Sequence, residues 1–405
     1  MTAVQRRGWL IVAGLSFVSC VVLGTTNCTI GIFILPVMTA LHASAERVSQ
    51  ATTAFVVANT VVAPLVGWLL DRVGARVIMV CGAMLAAAGY FLAAKSQTVG
   101  MYTFALAFGG AGVGGCTYVP GVFVISRCVE ERRQALAFGL LLAGSSVGAA
   151  IFPIWITQLV VATDWRTALQ WIAVISLSIA VPVLLWLVPR LPSRGHSGIA
   201  FEMPPKGFSV RQAFGSSAYW LLTLVQMLVG ISYMGIYYFV VPYFLGSGYS
   251  SPAAARLFGA IGVAAMVGFL VFGALAGRIG PKWSLALGLI FCTAGAFLIL
   301  PADHDRLGMS AAIAFVIAWG ATFSLPSQLT PVLLADLLGP RHFGFLFGIN
   351  NLLIGLASSL GPLLTGHLYD STQSYAVAFK VSGLLMVFAV AAMLMVRVGS
   401  SRMHD

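Results

Sequence analysis

Gly67-Trp68-Leu69-Leu70-Asp71-Arg72-Val73-Gly74-Ala75-Arg76 links two apolar runs, and Gly273-Ala274-Leu275-Ala276-Gly277-Arg278-Ile279-Gly280-Pro281-Lys282 does the same 206 residues later. Gly67, Arg72, Gly74 and the basic residue at 76 each recur at that offset. A second echo sets Arg132, Phe138 and Gly139 against Arg341, Phe347 and Gly348, 209 residues apart. Two echoes in one order and at nearly one offset mark an internal duplication. In the first copy, Gly67 permits close helix approach and Gly74 a tight turn. Asp71 is suited to cap a neighbouring helix end, or to pair with Arg72 or Arg76. The second copy carries Gly277 where the first carries that acid.

The surroundings of the two copies fix their solvent. Of 405 residues, 60% are hydrophobic and only 8% charged, with a mean hydropathy of +0.97. A water-soluble chain carries about a quarter of its residues as charges, so this one is solvated mostly by lipid. Breaks rich in charge, Pro and Gly divide it into spans at 9–37, 48–70, 76–94, 101–125, 135–160, 167–189, 216–245, 253–276, 283–300, 308–336, 343–367 and 375–396. Lipid offers no partners to bare amides, which requires helices here, and runs apolar on every face exclude an alternating β-barrel. The first run, of nearly 30 residues, is too long for a signal-peptide core and reads as span 1. The expected fold is an all-α membrane protein: twelve transmembrane helices in two six-helix pseudo-symmetric bundles. Residues 1–189 and 216–405 form the bundles, and the Pro- and Arg-containing stretch 190–215 forms a cytoplasmic linker.

Lys and Arg orient the spans. With the N-terminus inside, 16 of the 22 basic residues fall on the cytoplasmic side, while the eleven acids divide six inside and five outside. The net charge of +11 is therefore a topology signal in a multi-pass protein of a cell inner membrane, both termini cytoplasmic, and not a nucleic-acid footprint. The six cysteines form no CxxC pair and have no His at metal spacing, so no metal site, cofactor or disulfide framework is expected. No Walker sequence is present, and no cluster of His or carboxylates at one depth suggests an enzyme.

The G-x-x-x-D-R-x-G-x-R signature between spans 2 and 3 resembles the signature loop of the major facilitator superfamily, and the twelve spans, central linker and degenerate second copy extend the resemblance over the whole chain. It implies that Gly67, Asp71, Arg72, Gly74 and Arg76, with Arg278 in the second copy, belong to a charge cluster holding the cytoplasmic side closed. It also implies a transporter that works by alternating access, as a monomer. Phe208 to Phe214 before Tyr219-Trp220, Arg127 to Gly139, Ala335 to Gly339 and Gly366-His367-Leu368-Tyr369-Asp370 look like the monocarboxylate and oxalate–formate transporter branch. That branch places an acid–Arg pair in span 8 and often a Lys in span 1. Here those positions are apolar around Phe269 and Cys28, which disfavours proton–lactate symport.

Polar residues deep in the spans are costly unless they face a cavity or another helix. The candidate substrate contacts are Asn27 in span 1, Asn59 in span 2, Tyr118 in span 4, Tyr233 and Tyr237 in span 7, Gln328 in span 10 and Asn350 with Asn351 in span 11. For any one of them an interhelical hydrogen bond is an equal reading. Tyr233 and Tyr237, four apart, share a helix face and suit a carboxylate or a flat organic solute. No Asp or Glu lies at mid-depth to carry a coupling proton. Arg256, at the outer end of span 8, is placed to attract an anion or to anchor the helix. The glycine run 109–115 points to close helix packing and not to a nucleotide. The expected activity is secondary or facilitative transport of a small organic anion, a carboxylate; efflux of drugs or other lipophilic compounds is the alternative.

Overall fold

The computed structural model describes residues 3–43, 45–189, 207–300, 306–322, 325–339 and 342–396. Among them twelve helical spans are long and apolar enough to cross a bilayer: Arg6–Ala40, Gln50–Val73, Ala75–Ala94, Val99–Cys128, Glu131–Ala162, Trp165–Leu187, Ser217–Gly246, Pro252–Ile279, Pro281–Leu298, Gly308–Leu338, Phe343–Thr372 and Tyr375–Met395. In chain order these are spans 1 to 12. Their outer surfaces carry exposed Phe104, Trp186, Leu363 and Phe388, as a chain solvated by hydrocarbon requires.

Several spans are interrupted. Span 1 is α-helical over Ala3–Thr25, then forms a 3-10 turn at Ile30–Phe33 before resuming at Ile34–Ala40. The hydroxyls of Thr25, Thr26 and Thr29 donate to the carbonyls of Val21, Val22 and Thr25, a back-bonding that bends helices. Span 2 breaks between Ala45–Val61 and Ala63–Val73, and span 4 between Val99–Cys116 and Tyr118–Cys128. Each restarts with Pro64 or Pro120 in its first turn, where a missing N–H loses no helical bond. Spans 6 and 10 contain π-helical turns at Ser176–Ala180 and Val316–Gly320. Broken helices of this kind are tolerated at membrane depth only where protein or a cavity satisfies the freed backbone.

The described residues fall into two compact units, one drawn from 1–130, 140–206 and 342–352, the other from 131–139, 207–341 and 353–405. Two short segments thus cluster with the opposite half of the sequence: 131–139, opening span 5, and 342–352, opening span 11. Of the expected linker, residues 190–206 lie outside the described residues. The remainder belongs to the second unit, where Phe208 N–H donates to the Leu338 carbonyl at 2.8 Å and Val210–Phe214 is a short helix opened by a Ser209/Gln212 capping box.

In the first unit, the glycine run of span 4 lies against two neighbours: Gly110 on the Phe55 carbonyl of span 2, Gly112 on Ala86 of span 3. Lipid supplies no hydrophobic drive for helix association, so such close backbone contact is what holds the spans together. Gly144 and Gly148 of span 5 meet Ser16 and Cys20 of span 1 in the same manner. In the second unit the corresponding contact joins Gly235 of span 7 to Gly361 of span 11.

The duplication is legible in the backbone. Gly74 has φ 96° and ψ 150°, and Gly280, 206 residues on, has φ 87° and ψ 154°, a region open essentially to glycine alone. Arg76 Nε donates to the Val188 carbonyl at 2.7 Å. Its counterpart Lys282 directs Nζ to the Leu394 carbonyl at 3.5 Å, and both partners are again 206 residues apart. In each unit the base that ends the motif ties the last span to the third.

Candidate functional site

The first copy of the motif forms a clasp inside the first unit. Gly67 packs so closely on the start of span 11 that a Cβ there would collide with the Gly344 carbonyl. That approach brings Asp71 to the helix beginning at Phe343, where its Oδ2 accepts the Phe345 N–H at 3.1 Å. A helix start carries unpaired N–H groups and a partial positive charge, and a carboxylate answers both. Arg127, closing span 4, stands 3.9 Å from Asp71 Oδ1, with the acid's side chain only 8% exposed.

The clasp corrects one detail of the sequence reading. The base beside Asp71 is Arg127. Arg72 lies over the Trp68 ring at 4.1 Å, and Arg76 serves Val188. Gly74 supplies the turn. Arg278, in the second copy, is exposed. In the sequence Arg127 reads as an inward-side charge and a mark of the branch, not as a partner of Asp71, because nothing local links it to a residue 56 positions earlier.

The polar candidates separate by unit. In the first, Asn27 is exposed in the break of span 1, whereas Thr25, Thr26 and Thr29 around it are fully buried with their hydroxyls on backbone carbonyls. Asn59 is half-buried beside Gly114 of span 4. One turn further along span 4, Tyr118 packs its ring 5.8 Å from Phe347. Asn350, buried, and Asn351, half-buried, follow in the next turn of span 11. Asn59, Tyr118 and the Asn350–Asn351 pair therefore sit on neighbouring helices.

In the second unit Tyr233 and Tyr237 do share a face, their rings 5.5 Å apart. They belong to a longer aromatic wall: Tyr233 stacks on Trp319 of span 10 at 5.1 Å, and Tyr237 meets Phe258 of span 8 at 5.1 Å. Trp319 and Phe258 escape a reading of the sequence because apolar rings in apolar spans carry no polar signal. Arg256 is exposed, its Nε donating to the Pro252 carbonyl one turn back at 3.2 Å. Gln328 lies away from this wall. It is fully buried, and its Nε2 donates to the Ala135 and Phe269 carbonyls at 2.7 and 2.8 Å. Among the described residues no group of His, Cys, Asp or Glu is arranged to hold a metal ion.

The sequence model of the Major Facilitator Superfamily matches residues 15–356. Among characterised proteins, monocarboxylate transporter 12 of Rattus norvegicus is 24% identical over 94% of this chain and 84% of its own length. Among solved structures, the E. coli fucose:proton symporter FucP (N162A) superposes with a TM-score of 0.75, at 15% identity, over 98% of this chain and all of that one. The human organic anion transporter MFSD10 (TETRAN) gives 0.73 at 16% identity, over 97% of this chain and all of its own.

Proposed function

Because this chain belongs to the Major Facilitator Superfamily, we propose that it is a transporter that carries a small organic anion, a carboxylate, by alternating access. Its termini lie in the cytoplasm and its bilayer is the cell's inner membrane. The observation that carries the mechanism is the bond from Phe345 N–H to Asp71. It joins span 11 to the last turn of span 2, that is, elements from opposite halves of the sequence. In this fold one half rocks against the other around a midplane site, so the bond must be made and broken in every cycle. Its place beside the Arg-rich loops favours the cytoplasmic side.

Three features support an anion. The relatives include a monocarboxylate transporter and, in fold, an organic anion transporter. The wall of Tyr233 and Tyr237 carries two phenol hydroxyls on rings 5.5 Å apart, and exposed Arg256 supplies a positive charge at the end of the neighbouring span. With no acid at mid-depth, the carrier exchanges or equilibrates its solute without a coupling proton. The aromatic wall is also what favours the second reading, efflux of flat lipophilic compounds.

Purified protein in liposomes, offered labelled lactate, oxalate and benzoate with and without a pH gradient, separates the two. Saturable carboxylate uptake that ignores the gradient is expected. Uptake driven only by the gradient would contradict uncoupled transport. No carboxylate uptake, together with expulsion of a lipophilic dye, would establish efflux instead.

A further inference from the structure

The start of span 5 repeats the start of span 11: Ala135 and Leu136 stand 209 residues before Gly344 and Phe345. In the second unit this turn rests on Gly273, the counterpart of Gly67, where a Cβ would lie 3.1 Å from Leu136 Cα. The equivalent of Asp71, however, is Gly277. In place of a carboxylate there is a cavity of about 200 Å³, lined among others by Glu131, Arg132, Ala135, Ala276, Gly277 and Asp336.

What grips the turn is Gln328. From span 10 it sends one N–H to the Ala135 carbonyl and the other to Phe269 of span 8, so a single amide staples span 5 to span 8. Two glycines make room for it: a Cβ on Gly139 or Gly273 would come within 2.5 or 2.6 Å of Nε2. Both donor hydrogens are spent on backbone, the residue is fully buried, and it therefore presents no donor to a solute. Burying an amide is costly unless its bonds are made. The bond to Ala135, like that of Asp71, links segments from opposite halves of the sequence; the bond to Phe269 fixes the amide within the second half.

We propose that Gln328 is a positioning residue of the transport cycle: an uncharged clasp that does for span 5 what Asp71 does for span 11. This rests on the alternating-access reading, and it moves Gln328 from the substrate contacts to the gate. The protein thus has two chemically unlike clasps, a carboxylate on helix-start N–H groups and an amide on carbonyls.

The test uses full-length protein with its six cysteines replaced and one reporter restored. Ala135→Cys reports the Gln328 clasp and Ala63→Cys the Asp71 clasp; both alanines are buried, and Ala63 underlies Gly348. The probe is N-ethylmaleimide. Gln328→Met keeps the volume and removes both donors, and it is expected to speed labelling about fivefold, as the loss of the one neutral hydrogen bond between the halves allows. The increase is expected at both reporters, because both clasps release together. Faster labelling at Ala135→Cys alone would mean local loosening and overturn the proposal. Gln328→Glu supplies an independent reading. Its carboxyl can donate only when protonated, so labelling relative to the parent at each pH should rise from pH 5 to 8, and a flat ratio would overturn the proposal. If Asp71→Asn speeds labelling but Gln328→Met does not, the inference about Gln328 falls and alternating access stands; if neither does, both fall.

Discussion

Replacing Asp71 by Asn tests the first clasp with little change of shape. The amide retains an oxygen for the Phe345 N–H, now 3.1 Å from the carboxylate, but the bond reverts from charge-assisted to neutral. That costs about 1 kcal/mol. Loss of a partly buried negative charge at the helix start removes about 0.5 kcal/mol more. The Arg127 contact, at 3.9 Å and with the base a third exposed, contributes about 0.5 kcal/mol once discounted for screening. The total of about 2 kcal/mol corresponds to a shift of roughly thirtyfold in the equilibrium between clasped and released forms. N-ethylmaleimide labelling of the Ala63→Cys reporter should accelerate by that factor. In proteoliposomes, turnover should fall as the released carrier re-closes more slowly. Apparent affinity drops only by the fraction of carriers left unclasped. Unchanged labelling and unchanged turnover at normal membrane expression would refute the gating role of Asp71.

The same geometry has other consequences. Gly74→Ala, forced to φ 96°, should lower the melting temperature in detergent by an amount reflecting about 1–3 kcal/mol of strain; an unchanged melting curve would contradict the turn's need for glycine. Tyr237→Phe keeps the ring contacts to Tyr233 and Phe258 and should raise KM for a carboxylate about tenfold, the worth of one hydrogen bond to a charge. Equal KM would leave Tyr237 a packing residue. Arg256→Gln should weaken carboxylate affinity about fivefold, with the effect shrinking as salt is raised. Unaltered affinity would reduce Arg256 to a helix anchor on Pro252.

The fold is open to sequence reasoning because lipid leaves so few options. Once the spans are counted, helices are required, and the echo of Gly67–Arg76 in Gly273–Lys282 demands two related halves. Residues whose backbone demands a particular type are legible too: Gly74 and Gly280 adopt the same positive-φ conformation, and position 67 has no room for a side chain. The site is harder to read because its partners are distant in sequence. A polar residue in an apolar span is equally suited to bonding a solute, another helix or its own backbone. Thr25, Thr26 and Thr29 bond their own helix and Gln328 two other helices, while Asn27 is exposed. The motif singles out Asp71, but the base beside it comes from the end of span 4 and the N–H it accepts from span 11. Only three-dimensional contact specifies either.

Counterflow tests the central claim most directly. Proteoliposomes loaded with unlabelled carboxylate are diluted into a trace of the labelled solute, with no pH gradient. An alternating carrier of organic anions that needs no proton must show a transient overshoot of label, because each outward passage of unlabelled solute returns a site that captures label. Simple equilibration without overshoot, or no entry of any carboxylate in the panel, would contradict the account.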